Sequence, residues 1–343
     1  MTIRYPAPLR PGDRIGITAP SSGVPDDLRT RLEVCIDHLR QRGYQVVVGD
    51  CMDGETAVSA PAHSRAAELT AMLTDPDIKA VVPPWGGELA VELLPHLDLA
   101  AIAASDPTWL VGYSDLSTIL LPMTTVTGIA TVHAQNLMDT PYRIAEPLRS
   151  WLDVVTLPPG ASFSQAAAAH HRSSGHDSWQ DNPTVEEYTL DASGTWSLLQ
   201  PAGGDIQVQG RLIGGCTETI SVLAGTTYGD LRAFAADHAS EGLIVYVEAA
   251  ENGAFTIARD LWRMRLAGWF DHADAVLVGR TNAPDVPGFS QHDAVRSALA
   301  ELDVPVVVNV DFGHVPPQLA LINGALTDLT VTDATKTITQ HLR

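Results

Sequence analysis

A mixed α/β architecture is expected here: an N-terminal, mostly parallel sheet flanked by helices, followed by a second α/β domain. Three observations point to it. Short apolar, often β-branched runs alternate with stretches whose apolar residues recur at helical spacing. The early runs end in Gly-, Ser- or Pro-containing loops at 20–23, 84–88 and 112–115. The alternation lapses between 157 and 204 and then resumes. Strands that alternate with helices build parallel sheets covered on both faces, and such sheets place ligands beyond the carboxyl ends of their strands.

In chain order, residues 14–19 (RIGITA) read as a strand running into Pro20-Ser21-Ser22-Gly23. Asp26 or Asp27 can cap a helix whose apolar face is Leu28, Leu32, Ile36 and Leu39 and which stops at Gly43. A strand follows at 45–48, and a helix at 64–73 is broken by Thr74-Asp75-Pro76-Asp77. KAVVP at 79–83 is a buried strand leading into Trp85-Gly86-Gly87-Glu88, and Leu89, Val91, Leu93, Leu94 and Leu97 suggest a helix after it. A further strand ends at Val111. The segment 157–204, rich in Ala, Ser, Gly and His, reads as loop or linker. Beyond it come GRLIGG at 210–215, a helix through Thr219, Ile220, Val222 and Leu223, a strand at 243–247, a helix at 254–266, and strands at 275–278 and 304–310. The expected division is therefore 1–156, 157–204 and 205–343.

Composition narrows the function. Hydrophobic residues make up 45% and charged ones 18%, the balance of a folded globular chain. A formal charge of −20 without any Lys/Arg run argues against a nucleic-acid polymer as partner. No signal peptide and no apolar run long enough to span a bilayer are evident, and three scattered cysteines (Cys35, Cys51, Cys216) suit a reducing compartment. A cytoplasmic location is expected, with no membrane partner.

The stretch LVGYSDLST at 110–118 carries the most chemistry. Gly112 permits a sharp turn, and Ser114 then sits between a strand and a helix start, where its neighbours' amides are unpaired. An exposed hydroxyl beside free N–H donors is what nucleophilic acyl transfer needs. Ser and Asp are also ordinary N-caps, and Leu116 stands where a G-x-S-x-G elbow has its second glycine. Glu248 ends the strand LIVYV, a place from which a carboxylate can orient a histidine. His314 follows a β-branched strand, between Gly313 and Pro316-Pro317, where an imidazole can act as general base. Gly86 and Gly87 allow backbone N–H groups close to a ligand, although neither a phosphate-binding P-loop nor a dinucleotide fingerprint is present. His170, His171 and His176 lack the acid or cysteine spacing of a metal site, so no metal is expected. Trp179 and Trp196 flank Glu186, Glu187 and Asp191 and can either pack or offer stacking faces to an aromatic ligand.

Together, ITAPSSG (17–23), TDPDIKAVVPPWGGELAVELLPHLD (74–98), VGYSDLST (111–118), GRLIGGC (210–216), LIVYVE (243–248) and GHVPPQLALINGALTDL (313–329) resemble the family of LD-carboxypeptidases and microcin C self-immunity serine peptidases. The resemblance covers nearly the whole chain. It implies a Ser114–Glu248–His314 triad, an oxyanion hole built from the amides of Asp115, Gly87 and Gly86, no cofactor, and a cytoplasmic, often homodimeric enzyme. It also implies an N-terminal domain carrying the nucleophile and a C-terminal domain supplying acid and base. The length and the 157–204 segment look more like the microcin-immunity branch, which cleaves the amide between an aminoacyl or peptidyl group and a nucleotide. Substrate contacts are then expected from Trp85, Glu88, Trp179 and Trp196. The carboxypeptidase branch instead releases D-alanine from murein tetrapeptide. The chain departs from the family pattern at His133-Ala134-Gln135-Asn136 and Leu321-Ile322-Asn323-Gly324, which bears on recognition of the substrate's end. A non-catalytic protein holding a small ligand in the same crevice, and an esterase of the α/β-hydrolase type, are the competing readings; Leu116 disfavours the second.

Overall fold

The computed structural model describes residues 2–200 and 205–343. The first half forms β1 (Arg14–Ile17), α1 (Arg29–Gln41), β2 (Gln45–Val48), α2 (Ala62–Thr74), β3 (Ile78–Val81), α3 (Leu99–Ala104), β4 (Trp109–Gly112), α4 (Ser117–Thr127), β5 (Thr131–His133) and α5 (Trp151–Val155). β1 to β5 are parallel, with β3 between β1 and β4 and β2 at one edge. The expected helix at 89–97 is instead a 3-10 turn over Ala90–Leu93. Pro95 stands just past that turn, and its missing N–H and its ring bar an α-helix from running through.

The second half forms β6 (Ser162–Ala166), β7 (His170–His171), β8 (Ala192–Ser193), β9 (Ser197–Leu198), β10 (Ile206–Cys216), α6 (Thr217–Ile220), α7 (Leu231–His238), β11 (Leu243–Glu248), α8 (Ala254–Leu266), β12 (Ala273–Gly279), α9 (Gln291–Leu299), β13 (Val306–Val310), β14 (Leu321–Asn323), β15 (Leu326–Val331) and β16 (Lys336–His341). β10 to β13 run parallel at the centre of a sheet ordered β6-β16-β15-β10-β11-β12-β13-β9. β10 is long enough to serve both arrangements. Its first half pairs antiparallel with β15, and its second half pairs parallel with β11.

Two features depart from the expected division. The segment at 157–204 is more than loop or linker: β6 pairs with β16 at one edge of the second sheet, and β9 pairs with β13 at the other. In β6 the inward Phe163 and Gln165 alternate with outward serines, a period-2 signal too short to stand out from its Ser- and Ala-rich surroundings. The end of that segment, 201–204, lies outside the described residues. β14, from the C-terminal region, crosses over to pair antiparallel with β5 and so completes the first sheet. One apolar core accordingly contains Leu120 and Val132 from the first half together with Ile213 and Val245 from the second. No helix among the described residues is long and apolar enough to cross a membrane.

Candidate active site

The carboxyl ends of the two parallel strand sets face each other, and the candidate residues lie on both. Ser114 follows β4 directly and begins a 3-10 turn (Ser114–Leu116) that leads into α4. Its φ of +66° lies in the left-handed region, which costs a non-glycine residue on the order of 1 kcal/mol and places the hydroxyl out on a tight bend. Leu116 explains how the bend forms without a second glycine. Gly112 leaves room for the Leu116 side chain, which a Cβ at 112 would strike.

Asp115 is buried, and its carboxylate joins three loops. It accepts hydrogen bonds from Ser21 Oγ at 2.6 Å, from the Ala90 amide at 2.8 Å and from Thr118 Oγ1 at 3.3 Å. The Ser22 amide donates to the Gly86 carbonyl at 3.1 Å, which links the first two of these loops again. The side-chain role of Asp115 has no signal in the sequence, because each partner is distant or ordinary.

Glu248 is the last residue of β11 and is 1% exposed. His314 follows β13 by four residues. His314 Nδ1 lies 2.9 Å from Glu248 Oε2 and 3.1 Å from Oε1, while Nε2 lies 3.0 Å from Ser114 Oγ. The three side chains therefore form one continuous hydrogen-bonded relay. Gly313, at φ +93°, lets the backbone pass so close to Glu248 that a Cβ there would lie 2.5 Å from Oε2. Tyr113 packs edge-on against the His314 ring, with centroids 5.0 Å apart.

Burial pushes the Glu248 carboxyl upward, but the His314 charge and the hydrogen bonds from His314 and Cys216 outweigh burial and hold it below its ordinary value. Burial acts on His314 in the opposite sense. The Glu248 charge and hydrogen bond, helped by Glu218 and Glu251, overcome it and raise the imidazole above its usual value. A Glu248-bound Nδ1–H leaves Nε2 as the acceptor that faces Ser114, the tautomer a general base requires. Cys216 brings a sulfur within 4.8 Å of the same groups, a spacing compatible with metal ligation. Burial and the Glu248 and Glu218 carboxylates push its thiol well up, so it stays protonated, suited to donate to Glu248 rather than to ligate as thiolate.

Gly86 runs directly beneath Ser114. A Cβ there would lie 2.8 Å from the Asp115 amide nitrogen and 2.9 Å from Ser114 Oγ. Gly87, at φ +144°, abuts Ser21 and Ser22 and lines the same cleft as Ser114 and Asp115. We expect Gly86→Ala to lower kcat by about 10²–10³, the usual cost of a disturbed oxyanion donor. Steady-state kinetics checks this, and a Gly86→Ala enzyme with unchanged kcat counts against an oxyanion hole here.

Two cavities meet at His314. The larger, about 620 Å³, is lined by Ser114, Glu88, Glu218, Glu251 and Asn252 among others. It is acidic: burial, then the charges of Glu251, Asp115 and Glu218, raise Glu88 above its ordinary value. Glu218 is also raised by burial, although the Glu251 and Asn252 amides donate to it at 2.9 and 2.6 Å. The smaller cavity, about 280 Å³, lies on the other side of His314 and is walled by Trp85, Tyr113, Tyr142, Trp179 and Tyr188. Trp85 and Trp179 hold their rings 10° from parallel with centroids 6.3 Å apart, and each indole N–H is fixed, to Ser22 O at 3.1 Å and to Tyr142 Oη at 3.0 Å. Trp196 is not with them. It is 1% exposed, donates to Asp311 Oδ2 at 2.8 Å and packs into the second core, so its faces cannot meet a ligand. Glu218 and the tyrosines escaped the sequence reading; only the position of Glu218, just past the strand ending GGC, marked it as close to the site.

A model of the LD-carboxypeptidase N-terminal domain matches residues 15–134, and one of the LD-carboxypeptidase C-terminal domain matches residues 209–329. The chain belongs to the LD-carboxypeptidase family. Among its relatives, a putative carboxypeptidase of Vibrio cholerae is 25% identical over 92% of this chain and 91% of its own length. The microcin C7 self-immunity protein MccF of Escherichia coli is 24% identical over 92% of this chain and 90% of its own. A structure of MccF in complex with glutamyl sulfamoyl guanosine superposes with a TM-score of 0.82 at 22% identity, covering 100% of this chain and 99% of that one. This LD-carboxypeptidase-family chain thus has the two-domain fold seen in MccF.

Proposed function

We propose that the chain is a serine amidohydrolase in which Ser114 is the nucleophile, His314 the general base and Glu248 the residue that orients and charges the imidazole. The observation that carries this reading is the relay itself, 3.0 Å from Ser114 Oγ to Nε2 and 2.9 Å from Nδ1 to Glu248. His314 takes the Ser114 proton as Oγ attacks the carbonyl carbon, and the amides of Asp115 and Gly87, with Gly86 beside them, hold the oxyanion. The imidazolium then protonates the leaving nitrogen, the C–N bond breaks, and water releases the acyl group by the same steps in reverse roles.

Ser114, Asp115 and Gly87 line the acidic cleft and not the aromatic pocket, so the acyl group is read into the acidic cleft and the leaving group past His314 toward the aromatic side. The near-parallel Trp85 and Trp179 rings suit a nucleobase, and Glu88, Glu218 and Glu251 suit an acyl group bearing an amine. We read the substrate accordingly as an aminoacyl or peptidyl nucleotide, cleaved at the amide as in microcin C-like compounds, with the chain nearer the immunity branch. Release of D-alanine from murein tetrapeptide is the second reading; the same acidic cleft favours it, since it would accept an amine-bearing peptide.

A panel tests both. We expect turnover of an aminoacyl sulfamoyl adenosine to exceed that of a murein tetrapeptide and of a p-nitrophenyl ester in kcat/KM. Faster tetrapeptide cleavage would install the second reading, and ester hydrolysis alone would leave neither.

A further inference from the structure

We propose that His176 is a substrate-binding residue that hydrogen-bonds the anionic group on the leaving side of the scissile bond. The inference rests on the division of acyl and leaving groups between the two cavities described above. Of the residues lining the acidic cleft and those lining the aromatic pocket, His314 and His176 are the two common to both sets. A substrate that fills both cavities therefore passes these two imidazoles at the point where they join. His314 is committed to Ser114 and Glu248. The imidazole of His176 is exposed and makes no hydrogen bond among the described residues.

The backbone on either side of His176 is nevertheless held. The Arg172 amide donates to the Pro316 carbonyl at 3.0 Å, which ties the loop to the turn that carries His314. Asp177, the next residue, forms an ion pair with Arg172 and accepts from Tyr142 Oη at 2.9 Å and Thr189 Oγ1 at 3.1 Å. Gly175, at φ +71°, turns the chain immediately before the imidazole. A fixed loop that presents a free donor at a junction is a built contact, not a stray side chain.

The chemistry of the leaving group says what the donor meets. In a nucleotide amide the leaving nitrogen is bonded to a phosphoryl-type group, and in a peptide cut at its last residue it is a few bonds from the terminal carboxylate. Both put anionic oxygen just past the scissile bond. The acidic cleft repels such an anion through Glu88, Glu218 and Glu251, and Arg172 in the aromatic pocket is already neutralised by Asp177. An imidazole N–H at the junction offers the donor that the anion requires.

The test measures preference for the anion. In the Ser114→Ala protein, which holds ligands without turnover, calorimetry compares adenosine 5′-monophosphate with adenosine, and a murein tetrapeptide with its C-terminal amide. The parent is expected to prefer the charged member of one pair, and which pair it is identifies the source of the anion. Adding His176→Ala should reduce that preference about tenfold or more, and His176→Gln, which keeps a donor, should restore part of it. An unchanged preference in His176→Ala overturns the assignment alone. A parent that binds neither pair overturns it together with the substrate reading.

Discussion

Ser114→Ala is expected to lower kcat by about 10⁴–10⁶, the range seen when the nucleophile of a serine triad is removed. The fold should remain, because the change deletes one oxygen whose partner, His314, is still held by Glu248. The strained backbone at φ +66° is imposed from outside the residue, by the Gly112–Leu116 fit and by Asp115's three hydrogen bonds, and alanine inherits it. Thermal unfolding should therefore shift by no more than a few degrees. Labelling by a fluorophosphonate gives the complementary result: one adduct per chain in the native enzyme and none in the variant. A variant that keeps near-native turnover removes Ser114 as nucleophile. A native chain that takes no label at all, and turns nothing over, returns the protein to the class of ligand-binding proteins sharing this crevice.

The alternating strands and helices were legible where burial is on both faces and the apolar run is unbroken. β11, buried at every position, differs from its expected span by a single residue at its end. Such elements announce themselves because every position is constrained. The edge strands β6 and β9 do not: they are short, half exposed, and defined by partners more than a hundred residues away, whereas the edge strand β2 is betrayed by its run of valines. β14 is the extreme case. Its three residues join a sheet begun at the other end of the chain, and nothing local distinguishes them from the neighbouring strand β15.

The site divides in the same way. Ser114, Glu248 and His314 stand at or a few residues past the carboxyl ends of β4, β11 and β13, which their apolar runs locate, but that the three belong together was implied only by the family resemblance. Trp179 and Trp196 show the limit. They share a residue type and a surrounding composition, yet one is held at a cavity wall by Tyr142 and the other is sealed beneath a sheet by Asp311. Only the tertiary partner distinguishes them. His176 lay in a stretch read as linker with no metal expected, and its place between two cavities exists only once both walls are assembled.

Glu248→Gln is expected to lower kcat by about 10³–10⁴ and to move the acidic limb of the pH profile downward. The substitution is nearly isosteric, which matters because Gly313 and Gly279 leave the side chain no spare room. What changes is the proton. A carboxylate accepts Nδ1–H and leaves Nε2 free to take the proton of Ser114. An amide can donate to Nδ1 instead, which puts the imidazole proton on Nε2, facing the hydroxyl it should deprotonate. The pH dependence follows with its sign. His314 must be neutral to act, so activity rises with pH through its pKa, and the native limb lies above the ordinary histidine value because Glu248 favours the charged form. Without that charge, burial dominates and lowers the imidazole, so kcat/KM should reach its plateau at lower pH while the plateau itself falls. Profiles of both proteins on one substrate separate the two effects. A lower plateau with an unmoved limb would mean that Glu248 shapes the site without acting on His314 electrostatically, and an unchanged plateau would take it out of the relay altogether.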